Sequence, residues 1–149
     1  MITGIRTALI CERVEMKDGF PSFINVADNT LAPKTKPGVV SFQLALQIDL
    51  DKRATPVQVR VSTIDYLQGV DFNVPSDLAF VTLVPTFAVP VVQDSDLLIE
   101  ISDGSGGEPF RFRWALYFDE HARVLTDAEI VEFARQADAA AQAKGIPMN

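Results

Sequence analysis

Six aspartates stand in or beside short turns: Asp18 in Lys17-Asp18-Gly19, Asp49 and Asp51 ahead of Lys52-Arg53, Asp94 and Asp96 around Ser95, and Asp119 next to Glu120-His121. Loop carboxylates are hard oxygen donors, the ligand type that Ca²⁺ takes. If the intervening strands run simply up and down, the first, third, fifth and seventh all end at one pole. Asp18, Asp49, Asp51, Asp94 and Asp96 then form a candidate Ca²⁺ pole, with Asp119 beside them. Such a pole could present the ion to a carbohydrate or an anionic lipid. Two features weigh against it. The spacings match no EF-hand loop, and Lys17, Lys52 and Arg53 share the same turns and offset the charge. Aspartate is also a favoured turn former on its own account, through bonds to its own backbone. A common pole further requires that the chain not reverse at Pro85.

His121 is the only histidine and Cys11 the only cysteine. Asp119-Glu120-His121 offers a carboxylate–imidazole pair, but acid–base chemistry needs a positioned cleft around it. A solvated histidine in the link between the last strand and a helix is the simpler expectation. Cys11 lies between Ile10 and Glu12 inside a strand, where a thiol is buried and inert, so a Cys11–His121 dyad is not expected. No G-x-S-x-G, H-E-x-x-H, phosphate-binding Gly-Lys-Ser/Thr or paired C-x-x-C occurs. Gly104-Ser105-Gly106 fits a flexible hairpin. The chain therefore reads as a non-enzyme without a cofactor. Arg111, Arg113 and Tyr117 share one face of a strand, and Arg60 could join them from another. They could bind an anion, but pairing with neighbouring Asp and Glu on a solvated sheet face is the plainer expectation.

These residues must be positioned by strands. Phe110-Arg111-Phe112-Arg113-Trp114-Ala115-Leu116-Tyr117-Phe118 puts a large apolar residue at every even position and mostly polar or small ones between, so one face of this strand meets a core, and Trp114 should be deeply buried. Phe42, Leu44, Leu46, Ile48 and Leu50 alternate in the same way. Seven strands are predicted: 5–16, 20–26, 39–50, 56–64, 78–92, 97–102 and 110–118. Asp18-Gly19 is a hairpin signal, and Pro21 suits an edge or a strand start. Segments 27–38 and 65–77 read as long loops, the first crossing between sheets. The 78–92 run is apolar on both faces, as for a strand with little solvent contact. Pro85 is expected to bend or bulge it, and to pass the chain to the other sheet. Beyond residue 120 the period changes. Thr126-Asp127-Ala128-Glu129 is a capping box, Ile130, Phe133, Ala134, Ala137 and Ala141 share a helix face, and Lys144, Gly145 and Pro147 end the helix.

The expected fold is mainly β: a seven-stranded antiparallel immunoglobulin-like β-sandwich over 1–120, with a C-terminal α-helix in 121–149. At 149 residues and 48% hydrophobic content, one core can form without disulfides. A formal charge of −7 argues against nucleic acid and against anionic membrane surfaces. No apolar run reaches the roughly 20 residues needed to span a bilayer, so no membrane insertion is expected. With one cysteine and no secretory signal, a cytoplasmic setting fits best. The strand Ala8-Leu9-Ile10-Cys11-Glu12 leading into Asp18-Gly19, the Phe42 strand, and the hairpin Leu97-Leu98-Ile99-Glu100-Ile101 to Phe110-Arg111-Phe112 resemble uncharacterised bacterial immunoglobulin-like β-sandwich proteins of unknown function. The resemblance implies a fold and carries no activity or functional residue with it. The leading functional expectation is a non-enzymatic protein-binding or assembly module. It would self-associate or meet a protein partner through a sheet edge or the helix 127–144. The Ca²⁺-dependent ligand module is the alternative, and an enzyme comes third.

Overall fold

The structure is a computed structural model that describes residues 1–28 and 30–143. In chain order its elements are β1 (Ile2–Lys17), β2 (Phe20–Val26), β3 (Thr30–Leu31), β4 (Thr35–Lys36), β5 (Gly38–Leu50), β6 (Thr55–Ser62), β7 (Leu67–Val74), β8 (Phe80–Leu83), β9 (Thr86–Val91), β10 (Ser95–Ser102), β11 (Phe110–Leu116), β12 (Arg123–Val124) and the helix α1 (Asp127–Ala143). The fold is mainly β with one C-terminal helix. Twelve strands lie among the described residues, where seven were expected. One sheet runs β2-β1-β5, with β8 and β9 along the far side of β5; the other runs β3-β11-β10-β6-β7. β12 pairs in parallel with β4 as a small third sheet. The expected helix stop at Lys144, Gly145 and Pro147 lies outside the described residues.

Alternation builds the core. Val40, Phe42, Leu44, Leu46, Ile48 and Leu50 of β5 are buried in one cluster with Val57, Val59 and Val61 of β6, Leu97, Ile99 and Ile101 of β10, and Trp114 and Leu116 of β11. Each such side chain contributes about 1.5–3 kcal/mol by leaving water. Trp114 is buried as its strand pattern predicts, with 8% of its surface exposed. At the β1–β2 hairpin both turn residues have positive φ, 53° at Asp18 and 80° at Gly19, the backbone of a type I′ turn. β2 is an edge strand, as Pro21 suggested. At Gly38 a Cβ would stand 2.5 Å from the Thr35 carbonyl oxygen and 2.9 Å from the Pro33 side chain. Only glycine lets β5 begin so close under the preceding loop.

Three expectations are corrected. The 27–38 segment does not pass the chain to the other sheet: β2 and β5 both flank β1, and the segment lays only the short β3 against β11 and carries β4 before it returns. The 65–77 segment is not a loop: β7 pairs with β6 along its whole length, from Ser62↔Leu67 to Thr55↔Val74. Pro85 neither bulges the strand nor moves it to the other sheet. Both Leu83↔Leu46 and Thr86↔Gln43 belong to one continuous register along β5. Pro85 withholds an N–H, yet its carbonyl accepts the Leu44 amide at 2.9 Å, so the ladder is interrupted and not redirected. The 78–92 run is also wetter than expected, since Phe80 of β8 is exposed.

The capping box forms as read. The Glu129 amide donates to Thr126 Oγ1 at 3.3 Å, and the Thr126 amide donates to Glu129 Oε1 at 3.2 Å. Among the described residues no helix is long and apolar enough to cross a membrane.

Candidate functional site

The turn aspartates fall at two ends of the molecule. β1 and β5 are antiparallel, with Ile2 opposite Leu50, so Asp49 and Asp51 lie where β1 begins while Asp18 lies at its far tip. β9 ends opposite the start of β5, which places Asp94 and Asp96 away from Asp49 and Asp51. The up-and-down parity breaks because the 27–38 segment carries the chain back along the molecule; β2 and β5 both run antiparallel to β1. Asp49, Asp51, Asp94 and Asp96 also have local work. Asp49 pairs with Arg6 at 2.7 Å, and Asp96 pairs with Arg113 at 3.4 Å. Asp94 accepts the Phe118 amide at 3.0 Å. Asp51 takes the Met1 ammonium at 2.6 Å and the Arg53 guanidinium at 2.6 Å. The ammonium hydrogen bond, then Arg53, holds the Asp51 carboxyl well below the usual range. Among the described residues no three His, Cys, Asp or Glu side chains gather as a metal site.

The same end of the molecule is knotted by Asp103, whose Oδ2 accepts the Ile2 amide at 2.8 Å. Burial pushes the Asp103 carboxyl up, but bonds from Ser105 and the Ile2 amide outweigh it, and the net shift is downward. This contact ties the first sheet to the β10–β11 turn, so these carboxylates act as fasteners between sheets.

The arginine face is likewise self-neutralised. Glu100 of β10 stands opposite both Arg111 of β11 and Arg60 of β6. Arg111 bonds Glu100 at 3.1 Å and reaches Glu108 at 3.4 Å. The face is an ion-pair ladder in contact with water, where each exposed pair contributes little.

His121 is exposed and 3.3 Å from the equally exposed Glu120. Its amide donates to Asp119 Oδ1 at 2.9 Å, a turn contact. A shallow depression of about 300 Å³ lies beside it, lined by Pro33, Lys34, Asp119 and Ala122 among others. Nothing there encloses a reacting group. Cys11 is 1% exposed, and burial pushes its thiol up, away from the reactive thiolate. Cys11 is thus buried and His121 solvated, the placements expected of them.

What the sequence reading missed is the start of β7. Tyr66 and Gln68 are buried, at 3% and 1% exposure, and neither the Tyr66 hydroxyl nor either polar atom of the Gln68 side chain has a hydrogen-bond partner. Burial pushes the Tyr66 phenol up. Gln68 stands opposite Val61, at a position where an apolar residue would have revealed the strand. The helix offers a second surface. Arg123 clasps Glu129 through two bonds, at 3.0 and 2.9 Å, and with Thr126 this holds the Glu129 carboxyl down to about 2. Phe133 and Ala137 are half-buried, but Ile130 and Val131 are not, at 40% and 71% exposure. A groove of about 350 Å³ runs between α1 and the start of β5, lined by Thr35, Val39, Leu125 and Phe133 among others. No protein-family model matches this chain, and no curated protein matches it.

Proposed function

We propose that this chain is a non-enzymatic binding or assembly module, built on an immunoglobulin-like sandwich, that works through its surface. The observation that carries the reading is the incomplete burial of the segment leading into α1. Val124 and Val131 leave about seven-tenths of their surface in water, at 70% and 71%, and Ile130 leaves 40%. These three lie within eight residues of one another, in the segment that also gives Leu125 and Phe133 to the groove. Large apolar side chains grouped on a surface mark contact sites more often than single ones do. A helix of this length also draws most of its stability from tertiary packing, and among its described side chains only Glu129, Phe133 and Ala137 are half-buried. The two five-stranded sheets with their shared core supply a rigid platform for such a surface.

Self-association is the most concrete form of this reading. Light scattering of the purified chain over a concentration series, with and without millimolar Ca²⁺, tests it. The expected result is a defined oligomer whose mass does not respond to Ca²⁺. A chain that stays monomeric at the highest concentration would remove the self-associating form.

A further inference from the structure

We infer that Asp18 is a self-modifying site: its side-chain carboxyl closes on the Gly19 amide nitrogen and the chain reopens there as isoaspartate. Asp103, the other aspartate that precedes a glycine, stays as it is. In this reaction the Gly19 nitrogen attacks Cγ of Asp18 and the carboxyl leaves as water, giving a succinimide. Water then adds back. When it cleaves the bond between the Asp18 α-carbonyl carbon and the Gly19 nitrogen, the backbone runs on through the former side chain. One water is lost and one regained, so composition and mass return to their starting values and no other reactant is needed.

Both residues are exposed at the tip of the β1–β2 hairpin, and a Cβ at Gly19 would have nothing within 4 Å. Among the described residues no hydrogen bond holds the peptide group between them. Turning that one peptide over converts the type I′ turn into type II′, which keeps both strands and carries ψ at Asp18 to about −120°. There the Asp18 Cβ eclipses the Gly19 nitrogen across the Cα–C bond, the arrangement a succinimide ring requires. The reactive geometry is one local rotation away. Asp103 is held back from it. Its Oδ2 accepts the Ile2 amide at 2.8 Å and its Oδ1 the Ser105 amide at 3.0 Å, so the carboxyl reaches the Gly104 nitrogen only by breaking both bonds. Those bonds also outweigh burial and hold the Asp103 carboxyl down, which makes the protonated form, the one that loses water readily, scarcer there. Isoaspartate adds a backbone carbon to the turn, and a two-residue type I′ turn no longer fits. The change falls on the arm 12–26, beyond Cys11↔Gln43, where the β5 register along β1 ends.

Peptide mapping with electron-transfer fragmentation, after the full chain has been incubated in mildly acidic buffer, reads isoaspartate at each site. In the folded chain Asp18 should exceed Asp103 by about tenfold or more, because Asp103 must first give up two hydrogen bonds. In urea, where those bonds are gone, the gap should close. Asp18→Asn keeps a residue suited to the turn and forms the same succinimide with loss of ammonia, so it should yield both aspartate and isoaspartate at this position. Isoaspartate that is absent from Asp18 in the folded chain, or equally abundant at Asp103, overturns the inference. So does a gap that persists unchanged in urea, because the fold would then not be its cause, and so does an Asp18→Asn chain that gives aspartate alone, because no ring would then have formed.

Discussion

Replacing Gln68 by methionine keeps the length of the side chain and deletes both of its polar atoms. Gln68 is 1% exposed, and neither Oε1 nor Nε2 has a partner. Mutational data put the cost of burying an unpartnered amide at about 1–3 kcal/mol. Glutamine and methionine are close in volume, so repacking should cost little. Gln68→Met should therefore stabilise the protein by about 1–3 kcal/mol. In urea the unfolding midpoint should rise with an unchanged slope, and the melting temperature should rise by roughly 2–4 °C per kcal/mol. Tyr66→Phe should act in the same direction, because its hydroxyl is buried and unpartnered too. The double variant separates two pictures. Additive gains mean that the groups are independently orphaned, whereas losses in the single variants that the double variant recovers mean that they already bond each other in solution. A loss of 1 kcal/mol or more from Gln68→Met would refute the reasoning, because it would mean that the amide is satisfied, through Tyr66 or a buried water.

Two further outcomes follow from the same geometry. Trp114→Ala should lose about 3–5 kcal/mol in chemical denaturation as a large-to-small change in the core; a loss under about 1 kcal/mol would contradict the inward placement of Trp114. Glu129 is held down to about 2 by Arg123 and Thr126, so its contribution is fully present above its ordinary value near 4.5 and is lost as pH falls from there toward 2. Glu129→Gln should accordingly be less stable than the parent chain at neutral pH, with the difference closing across that window in acid melts followed by circular dichroism; a difference constant with pH would refute the Arg123–Glu129 clasp.

Local signals were legible wherever one residue type has one structural use. Asp18-Gly19 announced its turn, the Phe110 and Phe42 alternations announced β11 and β5, and Thr126 with Glu129 announced the helix cap. β7 was hidden because Gln68 occupies an inward position and Gly69 follows it, which breaks both the alternation and the strand propensity. Pro85 was misread because a proline marks a missing donor and does not say what its carbonyl still does. The aspartate pole failed for a nonlocal reason. Strand direction depends on what each connection traverses, and the 27–38 segment gave no sign that it doubles back so that β2 and β5 run the same way. The surface feature behind the functional proposal, the bare stretch before α1, depends on who neighbours whom, which composition and spacing do not encode.

β5 is bonded to β1 on one side and to β8 and β9 on the other, strands that precede and follow it by long stretches of chain. No local hairpin can complete this sheet, so distant segments must close large loops before any of their contacts stabilise them. Chains dominated by such pairings fold in milliseconds to seconds, and for that interval the apolar sides of β5 and β9 are open to other molecules. Mutual repulsion between copies that each carry a net charge of −7 opposes their sticking together during that time. The acidity of this chain thus matters most while its spine is still unpaired.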